Sequence, residues 1–565
     1  MTDHLPPLIL VPDECRPDAK LIVVGEAPWR SEAEKGYPFA GWSGLKLKEL
    51  WASVGITREE VSILNVYQYP RKPETVKPET MREWVAHLHK RLAIQTDPYV
   101  IVPMGNLALW ALTGKGYPPW DKPKKDEFQR AGIAKLRGSV LEYRDRLDRR
   151  VKVIPTLHPA ALARSPGLEV DCLHDWAKIQ RELAFKEIRR VERDLRVVEM
   201  LEEVEYWVHE WMQGARPLTF DIENPTGATI MIGFATSRHQ AITIPTTKSY
   251  WKSEATAEKV WDLIKRVLES DIEKVGQGVN YDVETLARER GIHTRNAIWD
   301  TANMFHAWMP TLRSFKLDYL ASVFTNEEFW KDEAKDPDEA KKYTSNMAAF
   351  YRYNGLDAAV THELFEVATE LLRKDGLLEF YVNHYGLLAD PLLEIAMTGL
   401  KVDEAMRKWR WADLMAERFE VQDRLEAVVG ENLMAEKSLS PVKVKRFLYE
   451  TLRLPTKYKR VKGKEERSVT IDEVAIRTLM EQHKGCQVLQ EAGTLMLRLR
   501  YLDALEKYFK DKIALEGRMY SKYSPRTEEG RLSSSASNQR RENGEKVGMN
   551  AQNISREIRD LFLAG

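Results

Sequence analysis

Within the run LTFDIE, two carboxylates, Asp221 and Glu223, stand two residues apart among apolar, strand-forming side chains. In a strand that spacing turns both toward one face of a sheet. Like charges so placed repel unless a cation neutralises them, so the fold must bring compensating groups to that face. Two later segments add acids: VGQGVNYDVETL puts Asp282 near a helix start, and YRYNGLDAAVTHEL puts Tyr353 and Asp357 four residues apart, on one side of a helix. Four carboxylates with only oxygen donors suit two hard divalent ions, Mg2+ or Mn2+, which can activate a water and stabilise the leaving oxygen in phosphodiester hydrolysis. Tyr353 is expected to help orient that water.

With 565 residues the chain has room for three or four domains. Its 86 Lys+Arg balance 86 Asp+Glu, which excludes a uniformly basic coat for nucleic acid but leaves room for a local basic stripe. Cys15, Cys172 and Cys486 form no C-x-x-C pair, so neither a disulfide framework nor a Cys-rich zinc site is expected, and a reducing compartment is. The start, MTDHLPPLILVPDEC, lacks the basic opening and long apolar run of a signal peptide, and no stretch has the apolar length of a membrane span. The expectation is a protein of the cytoplasm with no membrane partner. The pattern of apolar runs predicts an α/β multidomain chain with boundaries at 1–185, 186–378 and 379–565, the last mostly helical. A charged helical connector is expected over Trp176 to Glu210.

In the first block GEAP follows a strand at Gly25–Glu26, ILNVYQYP contains Asn65, and VKVIPTLHPAALARSP places His158 after another strand. This ordered set resembles the uracil-DNA glycosylase superfamily, specifically its family 4 type and the related N-terminal regions of some bacteriophage DNA polymerases. The resemblance implies an α/β/α domain in which Glu26 polarises a water, Phe39 stacks on an extruded base, Asn65 reads its Watson–Crick edge and His158 stabilises the departing uracil anion. The family usually carries four cysteines on an iron–sulfur cluster, one of them near Tyr69; this block offers only Cys15 and Cys172, so no cluster is expected. A normally small position is Trp29, which would crowd the pocket or replace a DNA contact. An active glycosylase and a retained DNA-binding fold both remain open.

The order D-x-E, NYD, WDTANMFH, FKLDYLASVF and Y-x-x-x-D-x-x-x-T resembles the proofreading 3'-5' exonuclease domain of family A DNA polymerases, RNase H-like in fold. It implies Asp221, Glu223, Asp282 and Asp357 as metal ligands or their partners. One departure is Gly278 where an Asn is often found, with Asn280 two before the third acid instead.

The last block, from SLSPVKVKRFLYETLRLP through EGRMYSKYSPRTEEGRLSSS to NAQNISREIRDLF, resembles the thumb and the start of the palm of family A polymerases. The resemblance implies that Arg531, Ser533 and Ser534 follow a primer–template backbone, with the basic Lys457 to Arg467 run beside the DNA path. The palm acids and finger motifs of that family do not occur in the sequence, so the chain alone is expected not to polymerise nucleotides. A companion chain carrying palm and fingers, an interrupted gene and a truncation all account for this. The combined expectation is the N-terminal part of a bacteriophage-type family A polymerase, acting on single-stranded and primer–template DNA in a bacterial or phage-infected cell. A noncatalytic DNA-binding subunit and a standalone repair nuclease are the alternatives.

Overall fold

The computed structural model describes residues 9–563 except 17, 96, 122–130, 146–147, 215, 226, 333–345, 437, 461–466, 510–513 and 538–546. Two compact units result, Met1–Ala389 and Asp390–Gly565.

The first unit holds two sheets. Leu21–Gly25 (β1), Val61–Asn65 (β2) and Val100–Pro103 (β3) are buried along their whole length, as parallel strands covered on both faces must be. Leu141–Arg144 (β4) and Arg150–Val153 (β5) complete the order β2-β1-β3-β5-β4, in which only β4 runs antiparallel. Alternation along β1 sends Leu21 and Val23 to a layer formed by the Trp42–Ala52 and Glu169–Glu182 helices. Ile22 and Val24 face the opposite layer, formed by Pro78–Ala93 and Asn106–Thr113. This is the three-layer α/β/α arrangement the resemblance implied. Each fully buried aliphatic side chain contributes about 1.5–3 kcal/mol to it.

The stretch expected to be a helical connector is not one. Its first helix ends at Glu182, and Asp194–Val197 (β6) pairs in parallel with Gln240–Pro245 at the edge of the second sheet. The open edge offers unpaired backbone groups, and Leu195 packs among Ala235, Ala241, Ala358 and Ala359, so tertiary pairing overrides the charged, helix-favouring composition.

That sheet contains Leu218–Glu223 (β7), Met231–Ser237 (β8), Gln240–Pro245 (β9), Lys274–Gly276 (β10) and Trp299–Asp300 (β11), in the order β11-β10-β7-β8-β9-β6. The 28-residue helix Met347–Lys374 crosses its face. Gly233, opposite Asp221 in the β7–β8 register, permits that crossing, because a Cβ there would stand 2.7 Å from Asn354 Oδ1.

A buried polar seam joins the two sheets' domains. Arg137 donates to Asp175 Oδ2 at 3.0 Å and to Ser322 Oγ at 3.4 Å. Asp171 accepts from Tyr319 Oη at 2.8 Å, and Lys178 Nζ donates to the carbonyls of Gly138, Ser322 and Thr325. Burial pushes the Lys178 amine down to about 7.

In the second unit the Glu404–Val429 and Gln487–Glu506 helices pack along one another through Leu414, Val421, Leu425, Met496 and Leu499. Ser521–Ser524 and Ser533–Ala536 form an antiparallel hairpin. Among the described residues no helix is long and apolar enough to cross a membrane.

Candidate active sites

The strand β7 and the Met347–Lys374 helix bring Asp221, Glu223 and Asp357 together, with carboxylate oxygens all within 4.8 Å of one another. Asn354, on the same helix, donates through Nδ2 to the Asp221 carbonyl at 3.1 Å and to its Oδ2 at 3.0 Å. Asp282, on the first turn of the Asn280–Arg290 helix, lies beside this trio rather than within it. Burial, then the charge of Asp357, pushes the Asp221 carboxyl up to about 7, and burial and Asp221 take Glu223 to about 9. Asp282 is pushed well up by burial and then by Asp221 and Glu223, and the Tyr353 hydroxyl rises by burial and the Asp357 charge. Crowding and burial thus disfavour the charged forms where no cation is present, and an all-oxygen donor set of this kind fits hard divalent ions.

Two residues that the sequence did not single out touch this cluster. Trp330 Nε1 donates to Asp357 Oδ1 at 2.5 Å, while Lys331 Nζ bonds Asp357 Oδ2 and, at 2.9 Å, the Tyr353 hydroxyl. In sequence, EFWKDE is a short charged run between helices, and nothing in its spacing ties it to Asp357.

In the first domain, the ends of β1 and β2 bring Gly25 and Asn65 into register. A Cβ on Gly25 would lie 2.4 Å from Asn65 Oδ1 and 3.1 Å from the Phe39 ring, so glycine is what lets these two side chains converge. Phe39 has a left-handed backbone, φ 52°, and its N–H is held by Glu32 Oε1 at 2.6 Å. Glu32 also accepts from the Trp29 N–H at 2.6 Å, which makes it a fixing residue for the whole turn that sequence reading missed. Trp29 itself is 43% exposed, with Lys72 Nζ 6.0 Å from its ring centroid. The Phe39 and His158 rings stack with centroids 5.5 Å apart.

Glu26 Oε1 accepts the Leu107 N–H at 2.9 Å, at the start of the Asn106–Thr113 helix, where the dipole favours an anion. Burial nevertheless raises its carboxyl above the usual range. His158 is pushed down to about 4, by burial and then Arg164, so at neutral pH it is uncharged. The Ala160 N–H donates to Nδ1 at 3.1 Å, which leaves the ring proton on Nε2. An all-cysteine iron–sulfur site needs four thiolates, and the sequence has three cysteines, of which Cys172 is buried in a hydrophobic core and Cys15 exposed. At Tyr69 an aromatic trio with Tyr67 and Trp84 packs instead, with centroids 5.4 to 5.8 Å apart.

In the second unit the Ser run, open to reading as a linker, forms strand Ser533–Ala536. The Ser534 hydroxyl is engaged with Asn550 and Ser533 Oγ bonds the Ser524 carbonyl at 3.3 Å, while Arg531 is largely exposed beside Glu529. Most of the Lys457 to Arg467 run lies outside the described residues.

A three-layer domain whose Phe39, Asn65 and His158 meet at the strand ends, followed by an acid-lined mixed sheet, is the two-domain arrangement of a DNA-processing hydrolase. Residues 12–183 match the Uracil DNA glycosylase superfamily and residues 195–373 match a 3'-5' exonuclease family. A type-4 uracil-DNA glycosylase of Archaeoglobus fulgidus is 34% identical over 171 residues, 30% of this chain and 79% of that protein. A DNA polymerase of Bacillus phage SP01 is 28% identical over 150 residues, 26% of this chain and 14% of that one. The POL domain of Pol1 from M. smegmatis shares 20% identity at a TM-score of 0.49, over 66% of this chain, which spans 58% of that polymerase chain. The chain belongs to the uracil-DNA glycosylase superfamily through its first domain, which is fused to a 3'-5' exonuclease domain of the family A polymerase kind. It is thus a polymerase-related DNA-processing protein.

Proposed function

We propose that the chain is a metal-dependent 3'-5' DNA exonuclease serving a family A DNA polymerase, built as domains 1–185, 186–378 and 379–565. The observation that carries this reading is the convergence of Asp221, Glu223 and Asp357 within 4.8 Å. With Asp282 alongside, these residues would hold two Mg2+ or Mn2+ ions. Such ions supply Lewis-acid charge to the attacking and leaving oxygens of a phosphodiester displacement. The chain's own contribution is to orient. Asn354 fixes Asp221, the long helix fixes Asp357 one turn from Tyr353, and the Tyr353 hydroxyl can hold a water in line with the terminal phosphate. Arg531, Ser533 and Ser534 are proposed to lie along primer–template DNA, with Arg531 the residue most available to a phosphate. Palm and finger motifs do not occur among the 565 residues, so nucleotide transfer is not assigned to them; a companion chain could supply it.

A second reading, uracil release, is favoured by the His158 geometry. A neutral imidazole with its proton on Nε2 is a donor suited to an oxygen of a departing base anion, with Phe39 as stacking face, Asn65 as amide reader and Glu26 as base toward water. An intervening base would need ring centroids roughly 7 Å apart, two van der Waals contacts. At 5.5 Å, Phe39 and His158 must part before a base can enter between them.

A 5'-labelled single-stranded oligonucleotide with a central uracil tests both. Shortening from the 3' end in Mg2+ but not in EDTA supports the exonuclease; an alkali-sensitive break at uracil in EDTA supports the glycosylase. DNA binding with neither product would replace both by a noncatalytic binding role.

A further inference from the structure

We propose that Lys331 is a positioning residue of the exonuclease site and that the glycosylase-like domain presents it there. This rests on the exonuclease reading above. Three clustered carboxylates repel, and among the described residues Lys331 brings an ammonium directly onto one of them, Asp357. Trp330 and Lys331, adjacent in sequence, take the two oxygens of Asp357 separately, Trp330 on Oδ1 and Lys331 on Oδ2. A carboxylate has about four lone-pair sites, so this clasp orients Asp357 without using it up. Lys331 Nζ also donates to the Tyr353 hydroxyl at 2.9 Å and lies 4.7 Å from its ring centroid. A hydroxyl accepting from an ammonium must aim its own hydrogen elsewhere, so Lys331 sets the rotor of the residue that faces water.

The clasp is not anchored by the exonuclease domain alone. Asn326 Nδ2 donates to Glu182 Oε1 at 3.0 Å and to the Arg189 carbonyl at 3.1 Å, and Glu327 pairs with Arg193 at 3.0 Å. Glu328 pairs with Lys115 and, at 3.4 Å, with Arg190, while the Ala131 N–H donates to Asp332 Oδ2 at 3.1 Å. From Asn326 to Asp332 the segment is therefore held by Lys115, Ala131 and Glu182 of the first domain and by Arg189, Arg190 and Arg193 just after it, with Lys331 between the anchors.

The full chain tests this with Lys331→Gln, Lys331→Arg, Glu328→Gln and Asp221→Ala, using a labelled single-stranded oligonucleotide with Mg2+, and by melting each variant in EDTA and in Mg2+. Lys331→Gln is expected to lower kcat by about 10–100-fold with KM within twofold, and Lys331→Arg to recover most of it. In EDTA, Lys331→Gln should melt about 2–4 °C lower than the wild type and gain more from Mg2+, because less repulsion among the acids is offset without metal. Glu328→Gln should show a smaller fall in kcat at unchanged KM. A raised KM with unchanged kcat, or wild-type kcat and EDTA melting in Lys331→Gln, would overturn the positioning role. Wild-type behaviour of Glu328→Gln beside an impaired Lys331→Gln would overturn presentation by the first domain. If Lys331→Gln does not fold, Glu328→Gln decides on the same readouts, a fall in kcat at unchanged KM supporting the proposal and wild-type behaviour overturning it. Hydrolysis undiminished in Asp221→Ala would instead sink the exonuclease reading itself.

Discussion

Glu26 in the first domain and the Asp221–Glu223–Asp357 cluster in the second are both carboxylate sites at least half-buried, but they meet their charge differently. Glu26 accepts the Leu107 N–H at a helix N-terminus within its own domain. Among the described residues the three acids have one ammonium and one indole N–H on Asp357 and an amide on Asp221, fewer donors than three carboxylates can use. The difference teaches that a single carboxylate can be met by backbone, whereas a cluster of three leaves room for the cations proposed above.

The strongest way to break this contrast is to delete one acid from each site. Asp221→Ala should cost on the order of 10³-fold in exonuclease kcat and leave any uracil release intact. Glu26→Gln should lower uracil release by about 10²–10³-fold and leave 3'-end shortening unchanged, read on one dual-purpose oligonucleotide.

A pH series sharpens it. In EDTA the folded-state pKa of Glu223, about 9, and of Asp221, about 7, stand above their ordinary values of 4.5 and 3.8. The folded state then binds more protons than the unfolded one, so these groups' stabilisation is full below about pH 4 and is lost as pH rises through 7 toward 9. Melting temperature measured in EDTA should fall across that window, and saturating Mg2+ should flatten the fall. Glu32→Ala gives the smallest effect: it frees the Phe39 and Trp29 N–H groups, costs about 1–2 kcal/mol, and lowers melting by a few degrees without touching exonuclease rate.

Much of both sites was legible because local geometry links their residues. D-x-E on a strand and Tyr353 four before Asp357 on a helix carry their own facing, and Glu26 and His158 each follow a strand. The α/β class was legible from the alternation of strand-like and helical runs, and the α/β/α layering from the family resemblance. Trp330 and Lys331 were not, since they reach Asp357 across 27 and 26 positions through a loop whose shape is set by another domain. Glu32 resembled any surface acid until its two backbone partners were seen. β6 was misread because its pairing depends on an open sheet edge.

Lys178 spreads its amine over carbonyls on both sides of the seam between glycosylase-like and exonuclease domains. A cut or a recombination joint placed between those domains would strand that amine and its acceptors in each half. The two modules are therefore poor candidates for exchange as independent cassettes: heating should melt them in one transition, and a chimera would need to inherit both lips of the seam together.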